Sequence, residues 1–330
     1  MFLQGDTIRN YITSARAGLE LLQQRTILIH DPHATLTASG SLKLHPYLRE
    51  MVQGRSKWRQ PKERYEPYTT PMFETTLLEL KQSQDSYAFL GKTWCVYDTQ
   101  RLGVFTGSRL SEYAQSGLKR GQKYQTIPDT IDAGVWKNQP FAFMRNDFTF
   151  YDQSMHQLPT DKTLITALQQ KRIAFMEIRF RFDKSATNFH KRRYEPIQHE
   201  IFDPIDAAVS LIQRANLLGI QDQEPICAYR TKTKPYNFLR DKDISLIMRQ
   251  AVKRAYPDPK HYMHINIKRI VPHSNRVTAA VALKQGGAKN DEIAHRLRWH
   301  INSVPTYLQE CWQGIGTILS QSLNGVLRFQ

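Results

Sequence analysis

His273 and Arg276 stand three residues apart, and Trp299 and Tyr307 follow in the same C-terminal stretch, the tyrosine eight residues after the indole. On a helix, His273 and Arg276 share a face. A second arginine, Arg109, opens RLSEY after a Gly-Ser pair, with Glu112 three residues on. Lys184 lies in FRFDKSATN, beyond an apolar run. Together these residue types can do phosphodiester chemistry without a metal. A phenol is a poor nucleophile until its proton leaves. A pentacoordinate phosphate carries extra negative charge, which two arginines can clamp with paired hydrogen bonds. A histidine can donate a further hydrogen bond or take the tyrosine proton, and a lysine can protonate the departing oxygen. The chain has no Asp/Glu cluster of the kind a two-metal nuclease uses.

Each piece alone has a plainer reading. Arg109 and Glu112 can be an i,i+3 pair on a capped surface helix. Lys184 can simply keep a hairpin tip soluble. Trp299 can be a core residue that closes the last helices. The free amides of a helix start beside Arg109 would also suit an oxyanion, and it is the whole set that points to a site.

The elements that must position these residues are mostly helices. Helical spacing predicts helices over 6–24 and 45–53. Residues 54–71 are basic, contain three prolines and lack periodicity, which predicts a linker able to lie along a phosphate backbone. Arg55, Lys57, Arg59, Lys62 and Arg64 are its candidate DNA contacts. Pro71 opens a further helix. SYAFLGKTWCVYDTQRLGVFTG predicts one long buried helix that ends at Gly107, and residues 109–118 predict a short one. Strands are expected at 141–145 and 148–152 around an Asn146-Asp147 turn, and within 172–200 as a hairpin. Further helices are expected at 161–171, 204–218, 241–255, 274–286, 289–297 and 303–314, and an apolar one at 317–328. Val277, Ala279, Ala280 and Leu283 are expected to bury the side of the 274–286 helix opposite His273 and Arg276. The fold class is therefore mainly α with a small antiparallel β-sheet (α+β).

The 330 residues carry 46 Lys and Arg against 30 Asp and Glu, a net charge of +16. That excess favours a polyanionic partner, nucleic acid first. The three cysteines form no C-x-x-C pair and no zinc spacing, as expected for buried thiols in a reducing interior. The first residues do not read as a signal peptide, and no apolar run approaches the roughly 18 residues that span a bilayer. No cofactor, no metal and no membrane partner is expected, and an intracellular location is.

In order, Arg109, Lys184, His273, Arg276, Trp299 and Tyr307 give R…K…H-x-x-R…H/W…Y. This resembles a tyrosine recombinase of the phage-integrase family. TGSRLSE resembles its first arginine box, and HSNRVTAAVALKQGGAKNDEIAHRLRW its second, in an L-R-W form similar to mobile-element members. The resemblance covers roughly residues 66–315. It implies a catalytic domain over 72–330, a linker over 54–71, and over 1–53 a partial helical, SAM-like core-binding segment that binds DNA. The family's core-binding domain usually has four or more helices, and residues 1–53 have room for about two.

The resemblance also implies roles. Tyr307 attacks the scissile phosphate of double-stranded DNA to give a 3′-phosphotyrosyl bond and a free 5′-hydroxyl. Arg109 and Arg276 hold the phosphate, Lys184 is the general acid, and His273 donates to the phosphate or accepts the tyrosine proton. Trp299 packs or hydrogen-bonds against the phosphate, and Glu112 supports the arginine side. Two alternatives stay open within the motif: His300 for Trp299, and Lys191 for Lys184. The implied activity is site-specific recombination or integration of a mobile element. It would be carried out by a homotetramer on DNA through helix 317–328, in the nucleus if the source is a eukaryote. A type IB topoisomerase-like nicking enzyme and a truncated, non-catalytic DNA-binding descendant are the competing readings.

Overall fold

The computed structural model describes residues 34–36, 42–44, 65–83, 87–116, 118, 121–127, 137–181 and 190–308. The predicted helices over 6–24, 45–53 and 317–328, Lys184, and the basic residues Arg55, Lys57, Arg59, Lys62 and Arg64 lie outside them. The chain divides into two units, Met1–Arg64 and Tyr65–Gln330. In the first, β1 (Ala34–Leu36) and β2 (Leu42–Leu44) pair antiparallel with Ala34 opposite Leu44. Sequence reading had assigned no strand there.

The second unit is a helical body with a small antiparallel sheet at one side. Helix α1 spans Thr70–Gln82, with Pro71 in its first turn. It starts inside the stretch read as linker, and Glu66, Tyr68 and Thr69 ahead of it are already buried. Helix α2 spans Lys92–Thr106 and buries every residue from Cys95 onward. It packs against α1 and against three later helices: α4 (Pro204–Leu217), α5 (Asp241–Ala255) and α7 (Ser274–Gln285). Burying a charged group is costly unless it is paired. Asp98 accepts from Arg214 Nη2 at 2.5 Å and from Arg101 Nη1 at 3.3 Å, and Arg101 Nη2 reaches Asp206 at 2.6 Å, which ties α2 to α4. The amphipathic helices follow their spacing: α5 buries Ile244, Ile247, Met248, Ala251 and Val252. Asp203 caps α4 by accepting from Ile205 N and Asp206 N.

Strands β3 (Phe148–Tyr151), β4 (Gln157–Leu158), β5 (Phe175–Arg179) and β6 (Lys191–Tyr194) form one antiparallel sheet in the order β4-β3-β5-β6. Helix α3 (Leu164–Gln169) connects β4 to β5. Strands β7 (Ala228–Tyr229) and β8 (Asn237–Phe238) make a separate pair. The chain closes through α6 (Tyr262–Ile265), α7, α8 (Asn290–Leu297) and α9 (Val304–Leu308). Fold class is thus helices plus a small antiparallel sheet.

Four local expectations are corrected. The long helix ending at Gly107 is interrupted: Ala88–Leu90 is a 3₁₀ turn and Gly91 is extended, at φ −76° and ψ 166°. A side chain at Gly91 would stand 2.9 Å from Ala88 O, so the break needs glycine. The helix over 109–118 is only a 3₁₀ turn, Leu110–Glu112. Beyond it Gln115 N donates to Leu239 O, which draws the chain into bridge pairing. Residues 141–145 form no strand, and Asn146-Asp147 is no hairpin turn. Asp147 is buried, accepts from Met144 N at 2.8 Å and meets Arg181 Nε at 2.9 Å, so it is consumed in holding a 3₁₀ turn over Arg145–Asp147. Finally, α7 is buried on every side from Ser274 to Leu283, Arg276 included, where one buried face was expected. Its small residues let α2 and its other neighbours close around it.

Candidate active site

The first wall of the site is the end of α2. Gly107 terminates that helix at φ 56°, a left-handed conformation that costs a residue with a Cβ roughly 1–2 kcal/mol. A Cβ there would also stand 2.6 Å from Leu297 Cδ2 at the end of α8. The Gly107 carbonyl accepts from Arg276 Nη1 at 2.8 Å. Gly107→Ala therefore combines backbone strain with a clash under the arginine. It is expected to lower unfolding stability by at least about 1–2 kcal/mol, measured by denaturant titration. A loss under 0.5 kcal/mol would mean that the turn relaxes easily.

Beyond Gly107 the chain turns sharply. Thr106 Oγ1 and Ser108 Oγ are 2.6 Å apart, and Arg109 N donates to Glu112 Oε2 at 2.7 Å. Tyr113 OH donates to Pro272 O at 3.1 Å, which fastens this turn to the residue before His273. Burial pushes the Glu112 carboxyl up. Hydrogen bonds and charge from Arg298 and Arg109 outweigh that, and its net shift is downward. Glu112 is therefore an anion that supports two arginines.

The second wall is α7, with His273 at its N-cap position. His273 Nε2 lies 3.2 Å from the Tyr307 hydroxyl oxygen. The Tyr65 ring covers His273 from the other side, with centroids 5.2 Å apart. Three residues on, both backbone groups of Tyr68 bond Thr278 Oγ1 on α7, at 2.6 and 3.1 Å. Burial, helped by the Arg276 charge, brings the His273 imidazole down to about 4. It is neutral at pH 7.

Arg276 is 6% exposed. Burial lowers it to about 10, against the pull of Tyr307 and with the push of the Arg109 charge, so it stays protonated at neutral pH. Among the described residues it forms no ion pair: one guanidinium nitrogen bonds the Gly107 carbonyl, and the plane stacks 4.5 Å from the Trp299 ring.

The third wall comes from α8 and α9. Trp299 follows the end of α8, and its ring lies 4.2 Å from that of Tyr307. Its indole N–H is buried and has no hydrogen-bond partner among the described residues. His300 is exposed and its Nδ1 accepts from Asn302 N at 3.3 Å, so it caps the next turn and faces away. Of the two residues left open at this position, Trp299 is the one beside Tyr307. Tyr307 sits within α9, half-buried.

For the lysine, Lys184 lies outside the described residues. Lys191 is described, and its Nζ is 3.4 Å from Glu177 Oε2 on the exposed face of the sheet. The opposite face carries Arg192, which reaches His295 Nε2 at 3.2 Å, and Tyr194, whose ring lies 4.5 Å from the Arg296 guanidinium. Lys191 thus points away from α8.

Arg109, Glu112, His273, Arg276, Trp299 and Tyr307 are therefore in one region, although His273 and Tyr307 stand 34 positions apart in sequence and Gly107 and Arg276 stand 169 apart. Sequence reading missed Arg298, which is buried and bonds both oxygens of Glu112 at 2.9 Å. No residue pattern marked it, because nothing in L-R-W says that the arginine turns inward. Among the described residues no His/Cys/Asp/Glu group could hold a metal ion, and no helix is long and apolar enough to cross a membrane. No family model matches the chain, and no curated protein matches it.

Proposed function

We propose that the chain breaks and rejoins DNA by tyrosine attack on a phosphodiester, as a recombinase or integrase of the tyrosine recombinase type. One observation carries this reading. Among the described residues, a buried guanidinium with no carboxylate, an indole N–H with no partner and a tyrosine hydroxyl on a neutral histidine stand together. A buried cation is costly unless an anion pairs with it. A phosphate supplies that anion, and its oxygens accept from both donors.

In the proposed step the Tyr307 oxygen bonds phosphorus and the bond to the 5′ oxygen breaks. The phenol proton goes to His273 Nε2, and the leaving oxygen takes one from Lys184, the lysine that the resemblance assigns. Arg276 and Arg109 hold the charge that builds on phosphorus. Rejoining is the reverse and needs no energy source, since the phosphotyrosyl ester keeps the diester's energy. The net charge of +16 favours the polyanionic substrate.

The test is a covalent trap. A pool of random duplexes carries a nick a few nucleotides past each candidate phosphate, so that the short 5′-hydroxyl strand diffuses away and cannot rejoin. Protein that stays on DNA through detergent supports the reading. DNA that binds but never becomes attached rejects it in favour of a non-catalytic binding protein.

The neutral imidazole sets a pH signature. With His273 at about 4 rather than its usual 6.5, the single-turnover cleavage rate is expected to hold from pH 7.5 down through 6 and to fall tenfold per unit only below about 4 to 5. A midpoint near 6.5 would mean that an exposed imidazole, not this one, takes the proton.

A further inference from the structure

Arg298 occupies a backbone position that suits glycine. It ends α8 at φ 57° and ψ 46°, where a residue with a Cβ is disfavoured. Its side chain is nevertheless only 2% exposed. Nη1 donates to Glu112 Oε1 and Nη2 to Oε2, both at 2.9 Å, a parallel two-bond pair. The guanidinium lies 3.5 Å from the centre of the Phe180 ring.

Three distant segments meet on this one side chain. Glu112 belongs to the turn that begins at Arg109, whose amide bonds the same carboxylate. Phe180 directly follows β5, on the strand that leads toward Lys184. Arg298 itself precedes Trp299, which touches both Arg276 and Tyr307.

We propose that Arg298 is a positioning residue, a strut that keeps the Arg109 turn, the end of β5 and Trp299 in register; this rests on the reading of the site given above. Stability alone does not account for it. A buried ion pair is often replaceable by apolar groups without loss, and a left-handed arginine adds backbone strain. What the pair does supply is fixed geometry, since a bidentate fork allows one mutual orientation. Its second effect is on charge. Glu112 pairs with Arg298, so the charge of Arg298 is met inside the protein, beside Arg276.

The test compares Arg298→Gly, which suits the backbone, with Arg298→Lys, which keeps the charge but loses the fork. Each is followed in single-turnover cleavage of the nicked duplexes and in DNA affinity. Two signals that need no activity are also read: the Trp299 indole N–H resonance and the titration midpoint of His273. Arg298→Gly is expected to bind DNA within about twofold of wild type and to cleave on the order of 10²-fold more slowly, as a displacement of about 1 Å commonly costs. Arg298→Lys should fall between. The Trp299 resonance should move, and the His273 midpoint should rise toward 6.5 as the site loosens. Adding Glu112→Gln to Arg298→Gly should slow cleavage no further, because the two residues act as one unit.

If Arg298→Gly only melts earlier, with cleavage, the indole resonance and the His273 midpoint all unchanged, the strut is rejected. If it does not fold, Glu112→Gln carries the same comparison. If the wild type itself never cleaves, the DNA-cleavage reading fails, and the indole and His273 signals alone decide the strut: moved, it stands; unmoved, it falls.

Discussion

Tyr307→Phe is expected to abolish the covalent protein–DNA adduct completely while DNA affinity stays within a few-fold of wild type. The substitution removes one oxygen and keeps the ring. The tilted contacts to Trp299, with centroids 4.2 Å apart, and to His273, at 5.4 Å, are ring contacts and survive. The hydroxyl gives up its 3.2 Å contact with His273 Nε2. A hydrogen bond of that kind contributes about 0.5–1.5 kcal/mol to folding, too little to unfold the domain. No neighbouring side chain can replace the nucleophile: Trp299 and Arg276 have none to offer, and His273 would form a phosphoramidate where the phenol forms an ester. The readout is protein retained on labelled DNA through detergent. If the variant still forms the adduct, another residue is the nucleophile. If DNA binding collapses together with the adduct, the hydroxyl is a structural group.

Arg276→Met is expected to lower single-turnover cleavage on the order of 10²–10³-fold, as the loss of an oxyanion donor does elsewhere, without lowering the melting temperature. The two effects separate because the arginine is a cost to the free protein. It is 6% exposed, forms no ion pair among the described residues, and burial has already pushed it down to about 10. Methionine of similar length fills the space beside Trp299 and gives up the bond to the Gly107 carbonyl and the cation–π contact with the indole. Replacing a poorly compensated buried charge by an apolar group is often neutral or stabilising. Arg276→Lys should rescue little, since an ammonium cannot present the planar fork. A melting temperature that falls sharply along with cleavage would make Arg276 a structural residue, and unchanged cleavage would place the phosphate elsewhere.

The helices read most clearly from sequence were those with an amphipathic period and a cap. Asp203 ahead of Pro204, and the apolar spacing of α5 from Ile244 to Val252, each follow from local rules. The pairing of His273 with Arg276 was legible from spacing, because helical geometry puts i and i+3 on one face; Trp299 and Tyr307 were joined to them by residue chemistry and by the resemblance. What remained hidden depended on distant partners. Asp147 looks like a turn residue and is instead the buried partner of Arg181. Arg298 looks like a surface charge at a helix end, and only the fold brings Glu112 to it. The all-round burial of α7 has the same origin. Its small residues allow close approach, but nothing local says that neighbours arrive on every side.

The segment between Trp299 and Tyr307 has a consequence of another kind. Ile301 and Asn302 are exposed, and Ile301–Ser303 is a single 3₁₀ turn that feeds directly into α9. Val304 is fully buried, but Ile301, Asn302 and Pro305 are exposed, so at these three positions the identities are loosely constrained. Their number is not. One residue more or fewer would turn every later position by about 100° around the helix axis, and the phenol would leave His273 for solvent. For these positions the chain encodes a count rather than a composition: the linker works as a ruler, tolerant of spelling and intolerant of length.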